Sequence, residues 1–224
     1  MTLNRYRIAG DMSHVASILV YLVIVRAKGN GAGVSLRAHQ LYLIVFLARY
    51  VDLLFVFYSW YNTLMKLFFL CSTATIVFTL QNVEPAKSTY SASQDNMYHW
   101  RLVLEAFLIS GIIHILGSGA VHIIGDEFEV HFEKWDWFES LWTFSICLEP
   151  IAMLPQLWMF YNNRVMNADV RLAILLKGVY RLFYIANWIY RSIQQIRFRH
   201  HFLVYAAGVV QVVTYADFFL YHVK

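Results

Sequence analysis

Long apolar runs broken by short polar connectors recur along the whole chain, and about 20 mostly apolar residues at 1.5 Å rise per residue are enough to cross a bilayer as a helix. Seven such runs stand near residues 9–26, 35–57, 61–80, 100–118, 138–160, 171–190 and 201–221. Only the turn Tyr58-Ser-Trp-Tyr-Asn62 separates the second from the third, so these two also read as one broken segment. The pattern predicts an all-α membrane protein, a single domain over residues 1–224 with seven transmembrane helices. The longest polar stretches, 81–98 and 125–136, are too short to fold as domains of their own, so a functional site must be housed within the bundle.

Charges interrupt these runs. A charge in hydrocarbon costs several kcal/mol by order of magnitude and is kept mainly where it lines a polar cavity. In the second run Arg49 and Asp52 are three residues apart and share a helix face with Tyr50 between them; taken alone, they also read as a self-neutralising structural pair. The sixth run carries Tyr180, Tyr184, Asn187, Trp188 and Arg191 along one helical stripe, with Arg181 beside it. An aromatic packing face with Arg191 snorkelling at its end explains part of that stripe, but not mid-helix Arg181 together with Asn187. The fifth run places Glu139, Trp142, Glu149 and Gln156 near one face, with Pro155 positioned to break the helical ladder. Asp11 and His14 lie three apart in the first run.

Together these positions set Arg7, Arg49, Arg181 and Arg191 against Asp52, Glu139 and Glu149 among tryptophans and tyrosines. Guanidinium groups in a dry-walled cavity suit carboxylates, which they bind in bidentate fashion while staying charged. Carboxylates beside Trp142 suit a cation at the other end. The implied ligand is small, zwitterionic and rich in carboxylates. The first and last three runs also each carry an arginine–tyrosine pair in their middle member, Arg49-Tyr50 and Tyr180-Arg181. That symmetry suggests two parallel three-helix repeats, about 9–80 and 138–221, joined by a linker helix at about 100–118, the SWEET-like 3+1+3 plan.

Composition agrees with the pattern. The chain is 59% hydrophobic, 17% aromatic and 14% charged, with a mean hydropathy of +0.50, too apolar for an ordinary soluble domain of this size. The formal net charge of +4 does not indicate nucleic-acid binding, because the basic residues are scattered over helix ends and buried positions. Cys71 and Cys147 both fall in apolar runs and make no case for a disulfide framework. Residues 15–25 resemble the apolar core of a signal peptide behind Arg5 and Arg7. No small-residue cleavage site follows, however, and Asp11 and His14 interrupt its start, so a retained first helix is expected. With a lumenal N-terminus, the cytosolic connections hold Arg26, Lys28, Arg37, Lys87, Arg101, Arg164, Arg171 and Lys224, and the acidic loop from Asp126 to Glu139 is lumenal. Arg197 and Arg199 fall on the other side of that assignment.

Several motifs are recognisable in order along the chain: Gly10-Asp-Met-Ser-His14, Ala48-Arg-Tyr-Val-Asp-Leu-Leu54, Tyr61-Asn-Thr-Leu-Met-Lys66, Leu141-Trp-Thr-Phe-Ser-Ile-Cys-Leu-Glu149, Leu154-Pro-Gln-Leu157, Gly178-Val-Tyr-Arg181, Asn187-Trp-Ile-Tyr-Arg191 and Ala216-Asp-Phe-Phe219. They closely resemble the K-D-E-L receptor family over nearly all of the chain outside about 81–137. The resemblance implies a Golgi-to-ER retrieval receptor of the endoplasmic reticulum and cis-Golgi membranes. Such a receptor binds the C-terminal tetrapeptide of escaped lumenal proteins in a pH-dependent manner and returns them in COPI vesicles. By the same resemblance, Arg49 takes the peptide's terminal carboxylate with Tyr50 and Tyr184 alongside, Arg7 pairs with the glutamate, and Arg191 with Trp188 holds the aspartate. Asp52, Glu139 and Trp142 take the first, basic residue; His14, Glu149, Tyr180 and Arg181 sense protons and lock the site; Asp217 serves trafficking. The implied partners are retention-signal peptides, the COPI coat on the cytosolic face and membrane lipid, with no nucleic acid, cofactor or metal.

An unperturbed histidine, with a pKa of ~6.5, changes protonation between about pH 6 and 7, and one fully coupled proton changes affinity at most about tenfold per pH unit. A sharper switch needs a second group, with Glu149 and His201 as candidates. The chain departs from the family pattern in three places. Residues 116–136 are longer and more acidic than expected and read as either a lumenal flap or a solvated insertion, His201 stands where an acid is expected, and Lys224 directly follows the last run, where a basic tail read by the coat is expected. The alternative function is transport of a small zwitterion or sugar on the same repeat plan. An enzyme is not expected, since H-E-x-x-H, G-x-S-x-G and P-loop motifs are absent.

Overall fold

The computed structural model describes residues 4–117, 119–124, 127–132, 137–163, 167–194 and 202–222, with backbone alone at 115–117, 119–124, 127–132, 163, 221 and 222. Its helices are α1 (Arg5–Leu22), α2 (Leu36–Arg49), α3 (Trp60–Asn82), the single turn α4 (Ala86–Thr89), α5 (His99–Gly117), α6 (Trp137–Leu148), α7 (Leu154–Asn163), α8 (Ala168–Gln194) and α9 (Phe202–His222). A π-helical turn, Val23–Ala27, prolongs α1. Arg197, Arg199, His201 and Lys224 lie outside the described residues, as do Asp126, Glu133, Lys134 and Asp136 of the acidic loop.

Among the described residues, four helices are long and apolar enough to cross a membrane: α1 with its extension, α3, α8 and α9. Two of the predicted continuous helices are broken. The run 35–57 is helical only to Arg49; a 3-10 turn, Val51–Leu54, follows, and the chain has no regular structure until Ser59 caps α3 with its side chain. The run 138–160 divides into α6 and α7 around a 3-10 turn, Glu149–Ile151, because Pro150 has no N–H to continue the ladder and Pro155 falls just beyond. The all-α expectation is corrected at one place. Within residues 116–136, read as a flap or insertion, stand the antiparallel strands β1 (Gly119–Ile124) and β2 (Glu127–Phe132), in a register that opposes Val121 to Val130.

Helix α1 runs antiparallel along α8, and small residues bring the two backbones close. Ser17 donates to the Ala173 carbonyl at 2.7 Å and Ser13 to the Leu176 carbonyl at 2.9 Å. Any Cβ at Gly10 would stand 2.7 Å from the Tyr184 ring, so glycine alone allows the approach there. The N-cap Asn4 accepts from the Arg7 amide and donates to Asn187 at 2.6 Å, tying the start of α1 to α8. Arg7 and the Tyr184–Arg191 stripe thereby meet at one end of the bundle.

A second buried node fastens the opposite end. Asp95 accepts from the Ser35 hydroxyl (2.8 Å), the Tyr90 hydroxyl (2.8 Å) and the Arg37 amide (3.1 Å), while Gln156 accepts from the Ser35 amide and donates to the Gly33 carbonyl, both at 2.8 Å. Burial and the adjacent Asp95 carboxylate push the Tyr90 phenol above its ordinary range. Gln156 therefore joins α7 to the connection before α2 instead of continuing the polar face with Glu139 and Glu149.

Candidate ligand-binding site

Glu149 sits where α6 breaks, 4% exposed, and gathers the bundle's inward charges. One of its oxygens is 2.7 Å from Nη1 of Arg49; the other is 2.5 Å from Nη2 of Arg181 and accepts the Tyr180 hydroxyl. Arg49 ends α2 and spends its remaining donors on Ser145, Nε to the hydroxyl and Nη2 to the carbonyl, each at 3.0 Å. A cation in the last turn of a helix also complements the helix dipole. His14 lies flat between Tyr180 (4.4 Å between ring centroids) and Phe69 (4.6 Å), and its buried Nε2 has no hydrogen-bond partner among the described residues. The structure thus brings together His14, Arg49, Glu149, Tyr180 and Arg181 from three helices and the break between α6 and α7.

Two side chains of this centre were not read as site residues from the sequence. Ser145 is one. The other is Lys177, 3% exposed, with Nζ 3.0 Å from the centroid of the Tyr42 ring and no carboxylate within 4 Å among the described residues. Its position continues the α8 stripe three residues before Tyr180, so the periodicity that picked out Tyr180, Tyr184 and Arg191 also points to it. A lysine held by an aromatic face instead of a carboxylate costs stability, and an apolar side chain of similar volume removes that cost. Lys177→Leu is expected to raise the unfolding free energy by about 1–3 kcal/mol. A lower melting temperature for the variant than for the parent would show the ammonium to be a net stabiliser.

Toward the open end, Ala48, Arg49, Val51, Asp52, Phe138, Glu139 and Trp142 line a cleft of about 310 Å³. Arg49 is therefore shared between the buried centre and the cleft. Asp52 and Arg49 do not pair with each other, which corrects the reading of a self-neutralising couple. Asp52 stands in the 3-10 turn beyond the helix, where Lys66 of α3 holds it at 2.6 Å. Asp11 accepts from the Tyr61 hydroxyl at 2.7 Å and from the Tyr184 hydroxyl, with Nε of Arg7 at 3.8 Å. Trp188 packs edge-on against Tyr184 (6.2 Å) and Tyr205 (5.4 Å). Arg191 lies one turn further along α8 and is half-buried. Tyr50 stacks on Phe46 at 5.5 Å. Asp217 is exposed on α9, toward the end of the bundle fastened by Asp95 and apart from the cleft. Lys66, Asp11 and Tyr61 complete the site; each falls in a quoted motif or an apolar run, but its partner comes from an element remote in sequence.

Chemically, half-buried Arg49 and buried Arg181 share the Glu149 carboxylate, and buried Lys177 adds a third cation with no carboxylate of its own among the described residues. That positive charge reaches, through Arg49, a cleft also lined by Asp52 and Glu139. The family model described as ER lumen protein retaining receptor matches residues 30–191. The chain belongs to that family. The ER lumen protein-retaining receptor B of Arabidopsis thaliana is 41% identical over 98% of this chain and 94% of its own length. The receptor of Petunia hybrida is 39% identical over the same shares. That of Saccharomyces cerevisiae is 34% identical over 99% of this chain and 95% of its own. An ER lumen protein retaining receptor is a binding protein, in agreement with the expectation of no catalysis. The charges inside apolar helices therefore lie in a membrane protein of a receptor family.

Proposed function

We propose that the receptor retrieves escaped lumenal proteins by binding their free C-terminal tetrapeptide, of the Lys-Asp-Glu-Leu or His-Asp-Glu-Leu type, in the cleft between Arg49 and Asp52. One observation carries this reading: Arg49 and Arg181 share the Glu149 carboxylate with buried Lys177 unpaired nearby, and of these three cations the one that lines the described cleft is Arg49. A peptide's terminal carboxylate supplies the missing negative charge there. Tyr50 and Tyr184 flank that end, Arg7 takes the glutamate, Arg191 with Trp188 takes the aspartate, and Glu139 and Trp142 join Asp52 for the first residue. His14, against Tyr180 and near Glu149 and Arg181, is the proton-sensitive element that couples affinity to compartment pH.

The membrane arrangement belongs to the same proposal. Seven spans are made by α1, α2, α3, α5, the broken α6–α7 pair, α8 and α9, as two parallel repeats, about 9–80 and 138–221, around the linker helix at about 100–118. The connections 28–35 and 83–98 share one end through Asp95, and the Lys28–Asp169 ion pair brings the start of α8 to it. That end carries the basic residues Arg26, Arg37, Lys87, Arg101 and Arg171, which supports a cytosolic assignment, with the N-terminus lumenal and the C-terminus cytosolic. COPI coat engages this face, Asp217 contributes to sorting there, and the receptor cycles between cis-Golgi and endoplasmic reticulum membranes in contact with their lipids.

Titration of the purified receptor at pH 6 and 7.4 with a peptide ending Lys-Asp-Glu-Leu tests the reading. The free acid is expected to bind, more tightly at pH 6, and its C-terminal amide to lose most of the affinity. Equal affinities for acid and amide would refute it.

A further inference from the structure

Asp52, which lines the cleft, already holds a cation. Lys66 reaches from α3 to within 2.6 Å of Oδ2 of Asp52, and its ammonium lies 5.7 Å from the centroid of the Tyr50 ring and 5.4 Å from that of Tyr58. A carboxylate flanked by two aromatic rings is the chemistry that binds a lysine ammonium from a ligand. Lys66 is itself well covered, with its side chain 12% exposed. The second oxygen of Asp52, Oδ1, is buried and has no hydrogen-bond partner among the described residues. With Lys66 in place, Asp52 contributes no net charge, and the excess negative charge at this end of the cleft comes from Glu139 beside Trp142.

We propose that Lys66 is a specificity-determining residue. Its ammonium takes, on Asp52 and between Tyr50 and Tyr58, the seat that a cationic first residue of the signal would take, so that wild-type receptor distinguishes weakly between a charged and an uncharged first residue. This rests on the retrieval reading. What Asp52 still offers an incoming side chain is its unpartnered Oδ1, an acceptor for any hydrogen-bond donor, cationic or neutral. Selectivity at this position is then set by hydrogen bonding and by the Trp142 face more than by full charge pairing. Removing the Lys66 charge returns Asp52 to the cleft as an unpaired carboxylate. Removing the Asp52 charge instead leaves Lys66 as an unpaired ammonium that repels a cationic ligand.

The test compares two peptides that differ only in charge at the first signal position, ending Lys-Asp-Glu-Leu and Met-Asp-Glu-Leu, on the full chain at pH 6. Wild type is expected to favour the lysine peptide by no more than about threefold, Lys66→Met to favour it by about tenfold or more, and Asp52→Asn to favour the methionine peptide by about tenfold. A Lys66→Met ratio within about twofold of wild type, or shifted toward methionine, overturns the proposal. Asp52→Asn keeps it falsifiable should Lys66→Met not fold, since an Asp52→Asn ratio unchanged from wild type overturns it equally. Failure of wild type to bind either peptide overturns the retrieval reading and this inference with it, whereas binding with unmoved ratios overturns the role of Lys66 alone.

Discussion

Glu149→Ala is expected to destabilise the receptor by about 3–5 kcal/mol, because it strips buried Arg181 and half-buried Arg49 of the one carboxylate they share. Arg49 would keep its two bonds to Ser145, but Arg181 would keep only its 2.6 Å contact with the Tyr180 hydroxyl, itself deprived of its acceptor. Lys177 lies in the same buried region, so the centre would hold three cations and no anion. For a protein of this size such a loss lowers the melting temperature by roughly 10 °C. Thermal unfolding of the purified variant measures it, and a melting temperature within a degree or two of the parent would mean that these charges are already hydrated. Excess terminal-carboxylate peptide is expected to recover part of the loss, since the ligand supplies an anion at Arg49.

Arg49→Met is expected to act in the opposite sense, sparing stability and removing binding. Glu149 keeps Arg181 and Tyr180 after this change, so no buried charge is orphaned. The peptide's carboxylate, however, would enter a cleft without its cation. Leaving that group unpaired costs about 2–5 kcal/mol, equivalent to roughly 30-fold to several-thousand-fold in affinity. The diagnostic readout is the ratio between free-acid and amidated peptides, which should be large for the parent and fall close to one for Arg49→Met. A variant that still prefers the free acid by the parental factor would place the carboxylate elsewhere, with Arg7 or Arg191 as the next group to test.

These two variants also show what sequence spacing could not supply. Arg49 and Asp52 were legible as costly charges in an apolar run, and the stripe from Tyr180 to Arg191 was legible as one helix face. Their partners were not. The helix that would have held Arg49 and Asp52 on one face ends at Arg49, so Arg49 turns to Glu149, 100 residues away, and Asp52 to Lys66. Gln156 followed the periodicity of Glu139 and Glu149, but the proline break at 150–155 turns it toward Ser35 and Gly33. Lys177 passed unnoticed although its spacing fits the stripe. Residues 119–124 and 127–132 form a strand pair, and the strict polar–apolar alternation Glu127-Phe-Glu-Val-His-Phe132 was the signal in the sequence for its second strand.

The amino-acid sequence alone determined that this chain is a helical membrane protein with charged groups inside apolar segments, and its motifs identified the family. Both follow from local physics, since apolar length fixes what a bilayer accepts and helical period fixes which side chains share a face. Only the tertiary structure decided which charge neutralises which. An ion pair depends on the approach of elements distant in the chain, and here two helix breaks, at Tyr50 and at Pro150, turn the decisive groups away from the partners that an unbroken helix would have given them.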